Sequence, residues 1–339
     1  KSIILDTSTE EGQEIVRKLA AGADVFLTNV RPGGLTRAGL DFPVLHALNP
    51  RLVYCSLTGY GLEGPDADRP GFDVASFWSR SGVANLTIPK GGEPFALRTA
   101  FGDHVTSISA AAGICAALVK ALRTGEGQLV EASLLRAALF ALGSDLAIQL
   151  FFKRIGSTKS RHEQIQPLMN FFRTSDGSWI CIVSRQGNVD WAPLCRALGL
   201  EAYIEDERFT TAKGRRANSS ELVDLFDEAF ARFTKAEISD RLDAESIAWA
   251  PVQTLAEVAS DPQVHASGAI QQTPSAAGDG STYASPGAPL RMPGYDDSPK
   301  GPAPHPGQHS REVLESLGLE GAEIDRMIET GVAKTGLDK

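Results

Sequence analysis

Short apolar runs rich in strand formers alternate with helix-patterned segments through the first half of the chain, and this alternation restricts the fold more than any other feature. Lys1-Ser2-Ile3-Ile4-Leu5-Asp6 reads as a strand. Thr7 to Ala20 opens with Ser, Thr and acidic residues and continues with Ile15, Val16 and Leu19 at helical spacing. Asp24 to Thr28 reads as a buried strand, Arg31-Pro32-Gly33-Gly34 as a turn, Phe42 to Leu48 as a helix and Leu52 to Leu57 as another apolar strand. A β-α-β-α order of this kind predicts an α/β domain with a doubly wound, mostly parallel, Rossmann-like sheet.

Beyond a loop rich in Gly, Pro and Asp, Gly59 to Gly71, the pattern predicts a helix over Phe72 to Ser81 and an irregular stretch over Pro89 to Gly102. Loops this long in a compact domain are usually functional. A small-residue helix over Val105 to Leu122, a strand over Leu129 to Ala132 and one long helix over Ser133 to Phe152 follow. From Gln166 the pattern changes to a hairpin turning at Asp176-Gly177 and then helices near Val189 to Leu198 and Ser219 to Phe233, which predicts a smaller α+β domain. Residues 272–309 read as a Gly-, Pro- and Ser-rich linker before a final helix, Ser310 to Leu317. The expected organisation is therefore a large domain starting with residues 1–155, a small domain over 166–271, and a linker with a C-terminal return over 285–339.

Composition narrows the function. Lys and Arg number 33 against 42 Asp and Glu, a net charge of −9, so the molecular field repels polyanions and general nucleic-acid binding is not expected. A phosphate-bearing ligand would need a local cluster of Arg and backbone N–H groups. Cys55, Cys115, Cys181 and Cys195 form no CxxC pair and have no His at zinc-ligand spacing, so they read as reduced core thiols of a cytoplasmic protein, with no metal site. The best apolar run, Ile108 to Leu122, contains Ser109, Gly113 and Lys120, so no membrane segment is expected. The first residues already read as a strand, so no signal peptide is expected.

The residue with the most chemical promise is Asp103, in Phe101-Gly102-Asp103-His104, where a helix is about to begin. Asp is favoured there as an N-cap. The same position suits a nucleophile: the helix N-terminus keeps a carboxylate ionised, and backbone N–H groups stand near an oxyanion formed by its attack on an acyl group. His104 reads as structural and Cys55 as core packing.

Several motifs recur in a telling order. Asn29-Val30-Arg31-Pro32-Gly33 precedes Arg37-Ala38-Gly39-Leu40, then Asn49-Pro50-Arg51-Leu52, Gly59-Tyr60-Gly61, Asp68-Arg69-Pro70-Gly71-Phe72-Asp73 and Gly102-Asp103. Thr124-Gly125-Glu126-Gly127-Gln128, Trp249-Ala250-Pro251-Val252 and Asp261-Pro262-Gln263-Val264 follow. Their order and spacing resemble the family III CoA-transferases (the CaiB/BaiF type, which includes formyl-CoA transferase and acyl-CoA racemases) over nearly the whole chain. The resemblance implies an enzyme that moves CoA from an acyl-CoA donor to an acceptor carboxylic acid through an aspartyl mixed anhydride and an aspartyl-CoA thioester. It places the nucleophile on Asp103 and CoA contacts on Leu5, Ser8, Asn29, Val30, Arg31 and Arg37, with Phe72 and Asp73 near the reacting thioester. CoA and acyl-CoA are then substrates, with no permanently bound cofactor, and the resemblance implies an interlocked homodimer.

The same family implies alternatives: an acyl-CoA racemase or epimerase, or a non-catalytic CoA-binding subunit. Racemases place a proton-carrying His where this chain has Phe72, and a phenyl ring carries no proton. Two departures from the family pattern stand out. The family's opening strand, helix and strand have no counterpart in the sequence. Arg185-Gln186-Gly187-Asn188-Val189 after Ser184 is also unlike the glycine-rich loop of the formyl-CoA branch, so formate and oxalate specificity do not carry over.

Overall fold

Strands form where apolar runs meet β-branched and aromatic residues. β1 (Ile4–Leu5), β2 (Val25–Thr28), β3 (Val53–Thr58) and β4 (Leu129–Ser133) arise in this way. β2 and β4 flank β3, both parallel to it, so β3 is central. Its Val53, Tyr54 and Cys55 are fully buried, as expected of a parallel strand covered on both faces. Ala110, Ala117 and Ala121 of the helix Phe101–Thr124 pack around Val53 and Cys55. Ala20, Leu35, Leu40 and Leu45 cluster with Tyr54 and Leu52. This is the doubly wound α/β arrangement. The computed structural model describes every residue except 90, 96, 97, 99, 155–158, 186, 338 and 339.

The chain divides into two compact units, one of Lys1–Ile88, Gly92–Ile155 and Ala303–Lys339, the other of Pro89–Gly91 and Gly156–Pro302. In the second unit β5 (Met169–Arg173), β6 (Trp179–Val183) and β7 (Trp249–Pro251) form an antiparallel sheet. Phe172, Ile180 and Ile182 point into a core shared with Leu194, Phe226 and Phe230, and the Phe172 and Phe230 rings stack at 4.8 Å. The helix Lys235–Ala244 in this unit begins with a capping box, Thr234 and Glu237 each bonding the other's backbone N–H. Replacing Thr234 by Ala is expected to lower stability by about 1 kcal/mol in a denaturant melt.

Several elements differ from the sequence expectations. Residues 272–302 belong to the second unit rather than to a linker, and β8 (Ile270–Pro274) pairs antiparallel with β9 (Thr282–Pro286) there. Gly, Pro and Ser hide the alternation, but backbone pairing needs no apolar side chains. Within the stretch 285–339, expected to hold a linker and the C-terminal return, the first unit resumes at Ala303. Past the helix Ser310–Ser316 a further helix, Gly321–Glu329, buries Ile324 and Met327 against Leu314 and Ile15. β10 (Ala333–Lys334) then pairs antiparallel with β1, which therefore stands outside the parallel sheet.

Arg31-Pro32-Gly33-Gly34 is not a simple turn but the start of a short helix, Pro32–Arg37, with Pro in the first turn where its missing N–H costs nothing. The segment Asp73–Arg80 is π-helical. The long helix expected over 133–152 is two, Leu134–Ala141 and Gly143–Phe152, bent by 78°. Finally, the helix Phe101–Thr124 begins four residues earlier than its periodicity indicates and is long and apolar enough, by length and composition, to cross a membrane, contrary to the sequence expectation. A helix that packs an alanine face on a parallel sheet meets the same criterion, because its sheet-facing side must also be apolar.

Candidate active site

A cavity of about 830 Å³ opens in the first unit where the parallel strands end. Leu27 and Thr28 close β2, Leu57 and Thr58 close β3, and Leu134 follows β4, so all three strands point their C-terminal ends at it. Open α/β sheets bind ligands at this edge, because connecting loops splay there and helix N-termini face it. Two glycines make its wall: a Cβ built on Gly59 would meet the Gly71 Cα at 2.5 Å, and one on Gly71 would meet the Gly59 Cα at 2.4 Å. The two backbones cross at van der Waals contact, which fixes where the loop 59–71 re-enters the wall.

Asp103 lines this cavity from the first turn of the 24-residue helix Phe101–Thr124. It is two residues inside the helix and is not the N-cap. That place is held by Ala100, in the left-handed region at φ 69°. The Asp103 side chain is exposed and has no hydrogen-bond or ion-pair partner among the described residues, and it stands at the positive end of the helix dipole.

Asp73 is 5% exposed and holds the turn before Asp103: its Oδ1 accepts the Gly102 N–H at 3.0 Å. Oδ2 completes no hydrogen bond with the described residues. The Trp78 and Ala100 N–H groups favour the carboxylate weakly from outside hydrogen-bond geometry. Burial first, and the neighbouring Asp103 charge second, push the Asp73 carboxyl above its ordinary 3.8, against the Gly102 bond. The Gly102 N–H is thus already committed, and the His104 N–H donates to the Ala100 carbonyl at 3.0 Å. These two helix N–H groups, which the sequence alone leaves open to an oxyanion, already have partners inside the protein.

A pH signature follows from Asp73. Its raised folded-state pKa means the folded protein holds a proton that the unfolded chain has already released. Wild-type stability therefore falls as pH rises from about 3.8 to the point where folded Asp73 ionises. Asp73→Asn keeps the Oδ1 acceptor and removes the titration. Thermal melts should show its stability relative to wild type higher at pH 7 than at pH 4; an unchanged difference would exclude a buried, titrating Asp73.

Asn29, Arg31, Phe72, Asp73 and Asp103 are brought together on this cavity. Arg31 Nη1 donates to the Asp68 carbonyl at 3.2 Å, and the Asp68 carboxylate accepts the Gly33 N–H at 2.9 Å, which ties the start of the helix Pro32–Arg37 to the loop 59–71. Phe72 exposes its ring. The remaining four expected residues are not among those lining the cavity. Leu5 packs with the C-terminal helices, Ser8 bonds Asp6, Val30 points outward while its N–H donates to Thr28 Oγ1 at 3.1 Å, and Arg37 is exposed at the end of its short helix. Residues with no role assigned from the sequence also line the wall, notably Thr58, Ser107 and Arg69, the last of them inside the motif Asp68 to Asp73. Ser107 lies four residues after Asp103, one helical turn on, and helical spacing could have found it. Burial raises the Cys55 thiol pKa, consistent with packing rather than nucleophilic chemistry, whereas Cys115 is exposed on its helix and is not the core thiol the sequence suggested. Among the described residues no group of three His, Cys, Asp or Glu side chains stands close enough to hold a metal ion.

A parallel α/β sheet with a cleft at its strand ends, and beside it a helix whose first-turn carboxylate has no partner among the described residues, is a ligand-binding α/β arrangement. The comparisons agree: the model of CoA-transferase family III matches residues 1–310, and the chain belongs to that family. It is 32% identical over 321 residues to a succinate–glutarate CoA-transferase of Agrobacterium fabrum, covering 94% of this chain and 78% of that protein. It is 29% identical over 334 residues to an (R)-2-hydroxy-4-methylpentanoate CoA-transferase of Clostridioides difficile, covering 98% and 83%. Among solved structures, a CaiB/BaiF family protein from Brucella suis superposes with a TM-score of 0.80 at 30% identity, covering 94% of this chain and 81% of that one.

Proposed function

We propose that this CoA-transferase works through covalent catalysis by Asp103. The observation that carries the reading is a carboxylate with no partner among the described residues, in the first turn of a long helix and lining the cavity where three parallel strands end. The Asp103 carboxylate attacks the carbonyl of the donor acyl-CoA and expels CoA thiolate, which leaves an acyl-aspartyl anhydride. The thiolate attacks the aspartyl carbonyl and releases the donor acid as its carboxylate, giving an aspartyl-CoA thioester. The acceptor carboxylate then displaces the thiolate to form a second anhydride. The thiolate attacks the acceptor's acyl carbon and frees both Asp103 and the new acyl-CoA. No net proton is consumed, and exclusion of water protects both activated intermediates from hydrolysis.

CoA enters as a substrate along Asn29 and Arg31, with Arg37, Val30, Ser8 and Leu5 as further contacts once the nucleotide end lies outside the cavity. A second copy of the chain is proposed to cover the apolar surface of Phe140, Leu150 and Phe151, all more than 60% exposed, which light scattering would report as a dimer. Free cysteines at all four positions suit a cytoplasmic setting. The Agrobacterium relative transfers CoA between succinate and glutarate, so succinyl-CoA with glutarate is the first pair to assay. Mass spectrometry should then detect glutaryl-CoA that requires both substrates. Release of free CoA alone, or exchange of the substrate's α-proton with D₂O, would point to a hydrolase or a racemase instead.

A further inference from the structure

Arg69 places a positive charge in the cavity wall that contacts inside the protein do not cancel. Its Nη1 reaches Asp66 Oδ1 at 3.4 Å, and Asp66 gives its other oxygen to Arg80 at 3.0 Å, so these three side chains carry one net positive charge. The Arg69 guanidinium lies 6.0 Å from the centre of the Tyr60 ring, a platform that orients it without neutralising it. Two residues later Gly71 is pressed on Gly59, which anchors the backbone that carries Arg69.

The other charged side chains of the wall are Arg31, Asp73 and Asp103. Arg31 is engaged with the Asp68 carbonyl and stands next to Asn29 at the end of β2. Arg69 instead shares the segment 69–73 with Asp73, whose side chain holds the turn before Asp103. Among the described residues of the wall, an acid that reacts at Asp103 therefore meets two carboxylates and, on the Asp73 side, the Arg69 cation. A mononegative acid spends its only charge at the reacting end. A dianionic acid would bring a second carboxylate into the same acidic surroundings, where it needs a cationic partner, and a guanidinium can take a carboxylate with two parallel hydrogen bonds.

We propose that Arg69 binds the remote carboxylate of a dicarboxylic acid and so determines specificity for dianionic over mononegative acids. The inference deepens the CoA-transfer reading and rests on it for the position of the reacting carboxylate at Asp103. An anion on Arg69 could also come from CoA, whose phosphates offer the same chemistry, and the test separates the two sources.

Titration calorimetry of glutarate, butyrate and CoA into wild-type protein, Arg69→Met and Arg69→Lys reads binding without turnover. Wild type should prefer glutarate to butyrate; Arg69→Met should weaken glutarate by about ten- to a hundredfold and leave butyrate and CoA unchanged, with partial recovery in Arg69→Lys. The proposal is overturned if wild type shows no preference, if glutarate affinity survives in Arg69→Met, or if CoA affinity falls with it. Failure of the transfer reading shows elsewhere, as the absence of any acyl adduct on Asp103, so the two results remain distinguishable.

Discussion

Asp103→Asn should abolish CoA transfer, lowering kcat by at least about 10⁴-fold, while the protein folds and binds CoA as before. The magnitude follows from the proposed mechanism, in which every covalent step forms or breaks a bond to this carboxylate, and an amide neither attacks a thioester nor leaves as an anion. Folding should be little affected, because the side chain is exposed and has no partner among the described residues. The substitution costs at most the dipole interaction of one first-turn charge, about 0.3–1 kcal/mol. Intact-protein mass spectrometry after incubation with succinyl-CoA and a hydroxylamine quench reads the difference directly. A hydroxamate confined to wild type is the expected result. Equal turnover in the variant, or an adduct that survives the substitution, would move the nucleophile elsewhere.

Gly102→Ala should be nearly as damaging, by a different route. A Cβ at Gly102 would lie 2.2 Å from Phe77 Cγ and 2.4 Å from Asp73 Oδ1. Phe77 is 1% exposed and packs with Leu134 and Ala138, and the Asp73 oxygen is the acceptor of the Gly102 N–H, so neither neighbour has room to yield. Overpacking of this kind costs roughly 3 kcal/mol or more. Any relief by shifting the helix start displaces Asp103, and a shift of about 1 Å at a reacting group can cost some hundredfold in rate. We expect a lowered Tm together with a lost hydroxamate in samples held well below that Tm. A variant as stable and as reactive as wild type would show that the helix start is more plastic than the packing indicates. The Asp73→Asn melts described above probe the same joint through its charge.

Much of this was legible in the amino-acid sequence. Strand-forming runs of four to six residues, alternating with helical spacing, predict the elements of the parallel sheet; only the central β3 is buried along nearly its whole length, while β2, expected to be buried, exposes Leu27 at the sheet edge. The pairing Gly102-Asp103 before an Ala-rich helix marks the candidate nucleophile, and Pro70-Gly71 beyond Gly59-Tyr60-Gly61 marks a functional loop. The same local signals mislead where the decisive partner is distant. Asp103 reads as a cap because its neighbours look like a helix start. Ala100 takes that place, while the Gly102 N–H is bound by Asp73, 29 residues away.

Local sequence determined the strands of the parallel sheet and the helix from Val105 onward, because backbone propensity and the period of apolar residues act between near neighbours, while the class of chemistry came from the resemblance of the ordered motifs to a known family. Tertiary structure decided what local pattern cannot encode. Contacts across the chain set the pairing of β1 with β10, the crossing of Gly59 on Gly71 and the incomplete neutralisation of Arg69. Each depends on which atoms lie opposite one another once the chain has folded, and that is set by packing between segments far apart in sequence.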